Sequence, residues 1–138
     1  MTGKTILIIE DNLLNLKLAS HLLEANGFVI FSAPAAAEGL RMALEKLPDL
    51  VLMDLGLPGM DGLCATKKLK AHPATRHLTV VGLTAHAMKG DTEIALKAGC
   101  DGYLTKPIDT RTFVEAIEQF IGSAKLASNH NQFGGDKT

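Results

Sequence analysis

Five residues of this 138-residue chain could do chemistry together if the fold brought them to one place: Glu10, Asp11, Asp54, Thr84 and Lys106. Each lies at the end of a short apolar run. TILII precedes Glu10 and Asp11, LVLM precedes Asp54, TVVGL precedes Thr84, and GYLT runs to Lys106 ahead of Pro107. Two like charges about 4 Å apart repel by roughly 4 kcal/mol at an effective dielectric of about 20, so three carboxylates and one lysine do not neutralise one another. The set calls for a further positive charge. A small hard cation held by one or two carboxylates, keeping some of its waters and free to take a phosphate oxygen, describes Mg²⁺. A carboxylate beside it can act as a nucleophile and accept a phosphoryl group as an aspartyl phosphate. Asp54 suits that role because it stands alone at the end of its run, whereas Glu10 and Asp11 form an adjacent pair suited to the metal. Phosphoryl transfer spreads charge over three equatorial oxygens, so catalysis is mostly positioning and electrostatics. Mg²⁺, the Lys106 ammonium and the Thr84 hydroxyl offer one partner to each.

The elements that must position these residues are legible as an alternation. Strands are expected over Thr5 to Ile9, Val29 to Phe31, Leu50 to Met53, Thr79 to Leu83 and Gly102 to Leu104. Between them, apolar residues recur at helical spacing, and that alternation defines an α/β domain with a parallel sheet. The near-continuous apolarity of the runs predicts burial on both faces. Leu14, Leu18, Leu22 and Ala25 mark the first helix, with Asn12 or Asp11 as its cap and Gly27 as its stop. Ala36, Leu40, Ala43 and Leu47 mark the second, ended by Pro48. Leu63, Thr66, Leu69 and Lys70 mark the third, closing near Pro73, and Ile94 to Ala98 the fourth, ending at Gly99. Phe113, Ile117, Phe120 and Ile121 mark the fifth, with Asp109 or Thr110 as its cap. In such sheets the functional loops lie beyond the carboxyl ends of the strands, which is where all five polar residues fall. The Gly/Pro-rich stretch after Asp54, GLPGMDG, lets backbone groups approach a metal and a phosphate closely. Residues 1–122 are expected to form one domain and 123–138 a flexible polar tail.

Composition removes several function classes. Hydrophobic residues make up 46% and charged residues 21%, values of an ordinary globular chain. Fourteen Lys and Arg against fifteen Asp and Glu leave a net charge of −1 with no basic block, so direct nucleic-acid binding is not expected. No apolar stretch approaches the ~20 residues of a membrane span and no signal-peptide pattern opens the chain, so a cytoplasmic location is expected. Cys64 and Cys100 lack metal-ligand spacing and are read as small buried apolar residues. The five histidines, His21, His72, His77, His86 and His130, are scattered and expected in surface or loop positions.

Residues 4 to 121 resemble a receiver domain of a two-component response regulator. The resemblance rests on the acidic pair in IIEDN and the D-x-x-x-P-x-x-D-G run through Asp54, Pro58, Asp61 and Gly62. The Thr84-Ala85 and Lys106-Pro107 pairs complete it. It implies a doubly wound flavodoxin-like sheet of order 2-1-3-4-5, for which the chemotaxis receiver is a standing example. It further implies Asp54 as phospho-acceptor and Asp11 as direct Mg²⁺ ligand. Glu10 would act more often through water, and the Gly56 carbonyl would be a further metal contact. Lys106 is then the phosphate-contacting lysine, joined to Pro107 by a cis bond. Thr84 and Tyr103 match the switch pair, in which the hydroxyl moves to the phosphate and the ring turns inward. Gly56 and His86 occupy two variable positions that tune phosphate lifetime in such proteins. The run AHAMKGD, residues 85 to 91, resembles DivK-like single-domain regulators, which act by binding other signalling proteins.

The expected function is a stand-alone response regulator phosphorylated on Asp54 by a histidine kinase or phosphotransfer protein. It would be read by a downstream signalling protein at the face formed by helix 4, strand 5 and helix 5. It would be no enzyme beyond its own phosphorylation and dephosphorylation, with no nucleic-acid or membrane partner. The alternatives are a constitutive docking module that is never phosphorylated, and an aspartyl-phosphate phosphatase. The latter wants a second acid where Gly56 stands. A flavin-binding module is disfavoured by the acidic first loop, EDNLLN, which is poor in the Ser, Thr and Gly that cradle a phosphate.

Overall fold

A computed structural model describes residues 3–56, 62–84 and 89–132, with no side-chain description at 89–92 and 123–132. Five strands and five helices alternate. They are β1 (Thr5–Ile9), α1 (Leu13–Glu24), β2 (Val29–Ala33), α2 (Ala36–Lys46), β3 (Leu50–Asp54), α3 (Gly62–Ala71), β4 (Thr79–Thr84), α4 (Lys89–Ala98), β5 (Gly102–Thr105) and α5 (Phe113–Gln132). The strands are all parallel in the order β2-β1-β3-β4-β5, the doubly wound arrangement expected.

Two apolar layers sandwich the sheet. On one face Ile6, Ile8, Leu50, Leu52, Val81 and Leu83 meet α1 and α5, and on the other Leu7, Ile9, Val51, Met53 and Val80 meet α2, α3 and α4. Alternate residues of one strand thus serve opposite layers, which is why β1, β3 and β4 are continuously apolar. The edge strands depart from that expectation. Val29 in β2 is 46% exposed, and every residue of β5 keeps some exposure, because an edge strand packs on fewer neighbours.

The helix ends follow local chemistry. The Asn12 side chain accepts a hydrogen bond from the Asn15 amide at 3.0 Å, an N-cap for α1. Its buried residues are Ala19 and Leu23, and Leu14, placed on the marking stripe by spacing alone, is 79% exposed. At the end of α2, Leu47 rather than a glycine takes the left-handed conformation, at φ 45°. Cys100 is buried beside Thr66, but Cys64 is exposed on α3, against the expectation that both are core residues. The fifth helix does not stop near Gly122: it continues to Gln132. Ala, Lys, Leu and Gln beyond Gly122 are good helix formers with no proline among them.

Candidate phosphoryl-acceptor site

The strand register gathers the polar residues. Asp54 is the last residue of β3 and pairs with Leu83; Thr84, the last of β4, pairs with Thr105. Backbone bonds then continue each ladder one step past the strands. Glu10 N–H donates to the Ala33 carbonyl at 3.1 Å, Leu55 N–H to Leu83 at 2.9 Å, and Lys106 N–H to Thr84 at 2.8 Å. These bonds hold Glu10, Asp54 and Lys106 on rigid strand extensions rather than on free loops. The Lys106–Pro107 bond is cis, as the resemblance implies.

The charges meet at close quarters. Lys106 Nζ is 3.1 Å from Asp54 Oδ2 and 3.3 Å from Glu10 Oε1. Asp54 Oδ1 accepts the Gly56 N–H at 2.9 Å, and Glu10 Oε2 accepts the Asn12 N–H at 3.0 Å. Glu10 Oε1 is buried and, beyond its ion pair with Lys106, has no hydrogen-bond partner among the described residues. Oxygens of Glu10, Asp11 and Asp54 all lie within 4.8 Å of one another.

Electrostatics follows from that crowding. Burial, with a push from Asp54 and only partial relief from the Asn12 amide and Lys106, raises the Glu10 pKa to about 7. Burial also works against ionised Asp54, but the Gly56 amide, Glu10 and Lys106 outweigh it and hold the group below its ordinary range. Lys106 loses some stability as a cation through burial and regains more from Asp54 and then Glu10, so its pKa rises. One carboxylate is thus kept ionised and the other is poised to be neutral, the pattern of environments that separates roles in a shared site.

A cavity of about 590 Å³ opens over these groups, lined by Asp11, Asn12, Asn15, Asp54, Leu55, Gly56, Leu63, Thr84, Ile94 and Lys106. Every expected site residue except Glu10 and Tyr103 borders it. Glu10 lies beneath, 1% exposed. Tyr103 is half-buried on β5. Pro58, Asp61, Ala85 and His86, on which parts of the resemblance rest, lie outside the described residues. Asn15, Leu63 and Ile94 were not singled out from sequence. Asn15 carried a signal, one helical turn after Asn12 on the same α1 face; Leu63 and Ile94 look like core residues until α3 and α4 are placed.

The residues fit a divalent cation. Among the described residues three carboxylates face a single ammonium, and a buried carboxylate oxygen has no hydrogen bond, a cost that proteins rarely accept without a partner.

The comparisons agree with the geometry. Residues 6–118 match the model of the response regulator receiver domain, and the chain belongs to that family. It is 44% identical over 121 residues to the polar-differentiation response regulator DivK of Brucella ovis, covering 88% of this chain and 98% of that protein. Among solved structures, it is similar to a CheY-like response regulator receiver domain protein from Methanospirillum hungatei. The TM-score is 0.81 at 29% identity, covering 91% of this chain and 98% of that one. It is also similar to the receiver domain of a sensor histidine kinase from Pseudomonas aeruginosa, described with a magnesium ion coordinated in its active site cleft. There the TM-score is 0.80 at 32% identity, covering 88% and 99%.

Proposed function

We propose that this chain is a phosphorylation-controlled signalling module that accepts a phosphoryl group on Asp54 from a histidine kinase or a phosphotransfer protein. The observation that carries the reading is Asp54 itself: 3% exposed, held on a central strand, oriented by the Gly56 amide and kept ionised by Lys106.

A Asp54 carboxylate oxygen attacks phosphorus, an O–P bond forms, and the N–P bond of the phosphohistidine breaks with its electron pair going to the imidazole. Lys106 compensates charge on the transferred group, and the Thr84 hydroxyl at the cavity wall offers it a hydrogen bond. Asp11 and Asp54, the Gly56 carbonyl and, through water, Glu10 are the groups that would hold Mg²⁺. When bound, Mg²⁺ supplies positive charge to the phosphoryl oxygens. The magnesium in the cleft of the Pseudomonas receiver supports this reading.

Output follows from redistribution between two states. Moving a population from 1:99 to 99:1 needs about 5.5 kcal/mol of differential stabilisation, within reach of one phosphate with two new partners. Thr84 and Tyr103 are the proposed switch pair, with α4, β5 and α5 as the face read by a downstream signalling protein. Among the described residues no helix is long and apolar enough to cross a membrane. The reading places the protein in the cytoplasm and gives it no enzymatic turnover of outside substrates, since Gly56 has no side chain to serve as a second acid.

Incubation with Mg²⁺ and a small acyl phosphate, followed by intact-mass measurement, tests the proposal. One phosphoryl group is expected on the parent chain and none on Asp54→Asn. An unmodified parent chain would favour a constitutive docking module, and phosphate release from unrelated monoesters would favour a phosphatase.

A further inference from the structure

Away from the acidic rim, α2 and α3 enclose a second cavity of about 110 Å³, lined by Leu40, Leu44, Lys68, Leu69, His72 and Thr75. Its polar neighbours are already satisfied. The buried Thr75 hydroxyl donates to the Leu69 carbonyl at 2.7 Å, and His72 Nδ1 accepts the Ala74 N–H at 3.0 Å. The floor left over is aliphatic, and Leu44 stands 43% exposed at its edge. An apolar cavity of about 150 Å³ accommodates a benzene ring, so this one takes a single branched aliphatic side chain.

The α3 side of the cavity is one-signed. Residues 62–78 contain Lys67, Lys68, Lys70 and Arg76 and no Asp or Glu, in a chain of net charge −1. Lys70 is committed to Asp101 at 2.9 Å. Lys67, Lys68 and Arg76 are exposed, and none forms an ion pair among the described residues. On the facing helix Glu38 and Glu45 both turn to Arg41, so α2 does not cancel the field of α3.

We propose that the α2–α3 cavity is a docking site for an acidic segment of a partner protein, one aliphatic side chain seated between α2 and α3 and flanking carboxylates facing Lys68, which lines the cavity, and Arg76, next to the lining Thr75. Charge complementarity selects this occupant, with an aliphatic anchor in a pocket supplying residence time and the rim charges supplying association rate. Single-stranded nucleic acid fits less well, because stacking platforms are needed and residues 62–78 hold no Phe, Tyr or Trp. The site uses none of the groups around Asp54 and does not rest on phosphorylation.

A displayed library of random peptides about four helical turns long, selected on the full chain, tests the proposal. Enriched peptides are expected to share a Leu, Ile or Met within one turn of Asp or Glu, and to shift the amide resonances of Leu40, Leu44 and Leu69 in the unmodified protein. Binding should weaken about tenfold in Leu44→Asp through faster dissociation, and about tenfold in Lys68→Glu/Arg76→Glu through slower, less salt-sensitive association. These side chains are exposed, so the unfolding midpoints should match the parent; the amide mapping is independent of the variants. No enrichment, enriched peptides without carboxylates, or binding that survives both variants would overturn it. So would displacement of the peptide by a single-stranded oligonucleotide or by phosphatidylserine vesicles, or self-association of the chain that buries Leu44.

Discussion

The two rims of the sheet are built from the same residue types and reach opposite outcomes. At the amino-end rim Lys70 Nζ donates to Asp101 at 2.9 Å and to the Leu78 carbonyl at 2.7 Å, while the same Asp101 oxygen accepts the Val80 N–H at 2.7 Å. Beside it Asp49 accepts the Thr5 N–H and hydroxyl. Lys70, Asp101 and Asp49 all have their hydrogen bonds. At the carboxyl-end rim, among the described residues, one ammonium serves two buried carboxylates, a third is close by, and Glu10 Oε1 has no hydrogen bond. A lysine–aspartate pair is therefore no mark of function by itself. What distinguishes the site is charge that the protein does not compensate on its own.

That contrast breaks most sharply at the lysines. Lys106→Met removes the one ammonium that the described residues bring to the Glu10–Asp54 pair, and stripping one partner from buried charges costs about 4 kcal/mol. Urea unfolding in metal-free buffer at pH 8 should show that loss, and millimolar Mg²⁺ should recover part of it. If the variant unfolds like the parent, the rim charges are already screened and the contrast fails.

Proton linkage is the next largest effect. Glu10 has a folded pKa near 7 against an ordinary 4.5, so between those values the native state holds a proton that the unfolded chain has released. Stability therefore falls as pH rises through this window and levels off above it, by on the order of 3 kcal/mol. The depressed Asp54 pKa acts oppositely and elsewhere: its contribution is present above the unfolded value and is lost only as pH drops below it. Subtracting the pH profile of Glu10→Gln from that of the parent isolates the contribution of Glu10. A flat difference between pH 4.5 and 7 would show that Glu10 is ionised throughout.

The satisfied rim should respond more modestly. Asp101→Ala leaves the Val80 amide without an acceptor and Lys70 with the Leu78 carbonyl alone, worth about 2 kcal/mol. The loss should be the same at pH 5 and pH 8 and unmoved by Mg²⁺, because nothing at this rim is waiting for a cation. A Mg²⁺-dependent loss would mean that the two rims are coupled through the sheet.

The carboxyl-end rim was the more legible of the two in sequence. Each of its polar residues ends an apolar run, and a charge after such a run has few structural uses. The amino-end staple leaves no such mark, since Lys70 and Asp101 are 31 positions apart and look like ordinary surface charges. Burial within helices was legible only where one stripe was available. In α1 leucines stand at 13, 14, 16, 18, 22 and 23, so several stripes compete, and contact with the sheet chose the one through Ala19 and Leu23. Leu63 and Ile94 border the site because of where α3 and α4 begin, which no residue type announces. The α2–α3 cavity needs two helices placed side by side before it exists at all.

The length of α5 is the remaining difference, and it bears on the amino-end rim, past which the helix runs after Ile121. Gly102, at the start of β5, faces the Phe120 ring. Loss of apolar period at Gly122 suggested a helix stop, yet Gly122 is not among the glycines at positive φ, and a Cβ built on it meets nothing within 4 Å. A helix that ended on Gly122 in the left-handed conformation would be weakened by alanine; a helix that passes through it gains about 0.5–1 kcal/mol. Gly122→Ala should therefore raise the thermal midpoint slightly and increase the helical circular-dichroism signal. A lowered midpoint would place the helix end at Gly122 and restore the boundary that the hydrophobic period indicates.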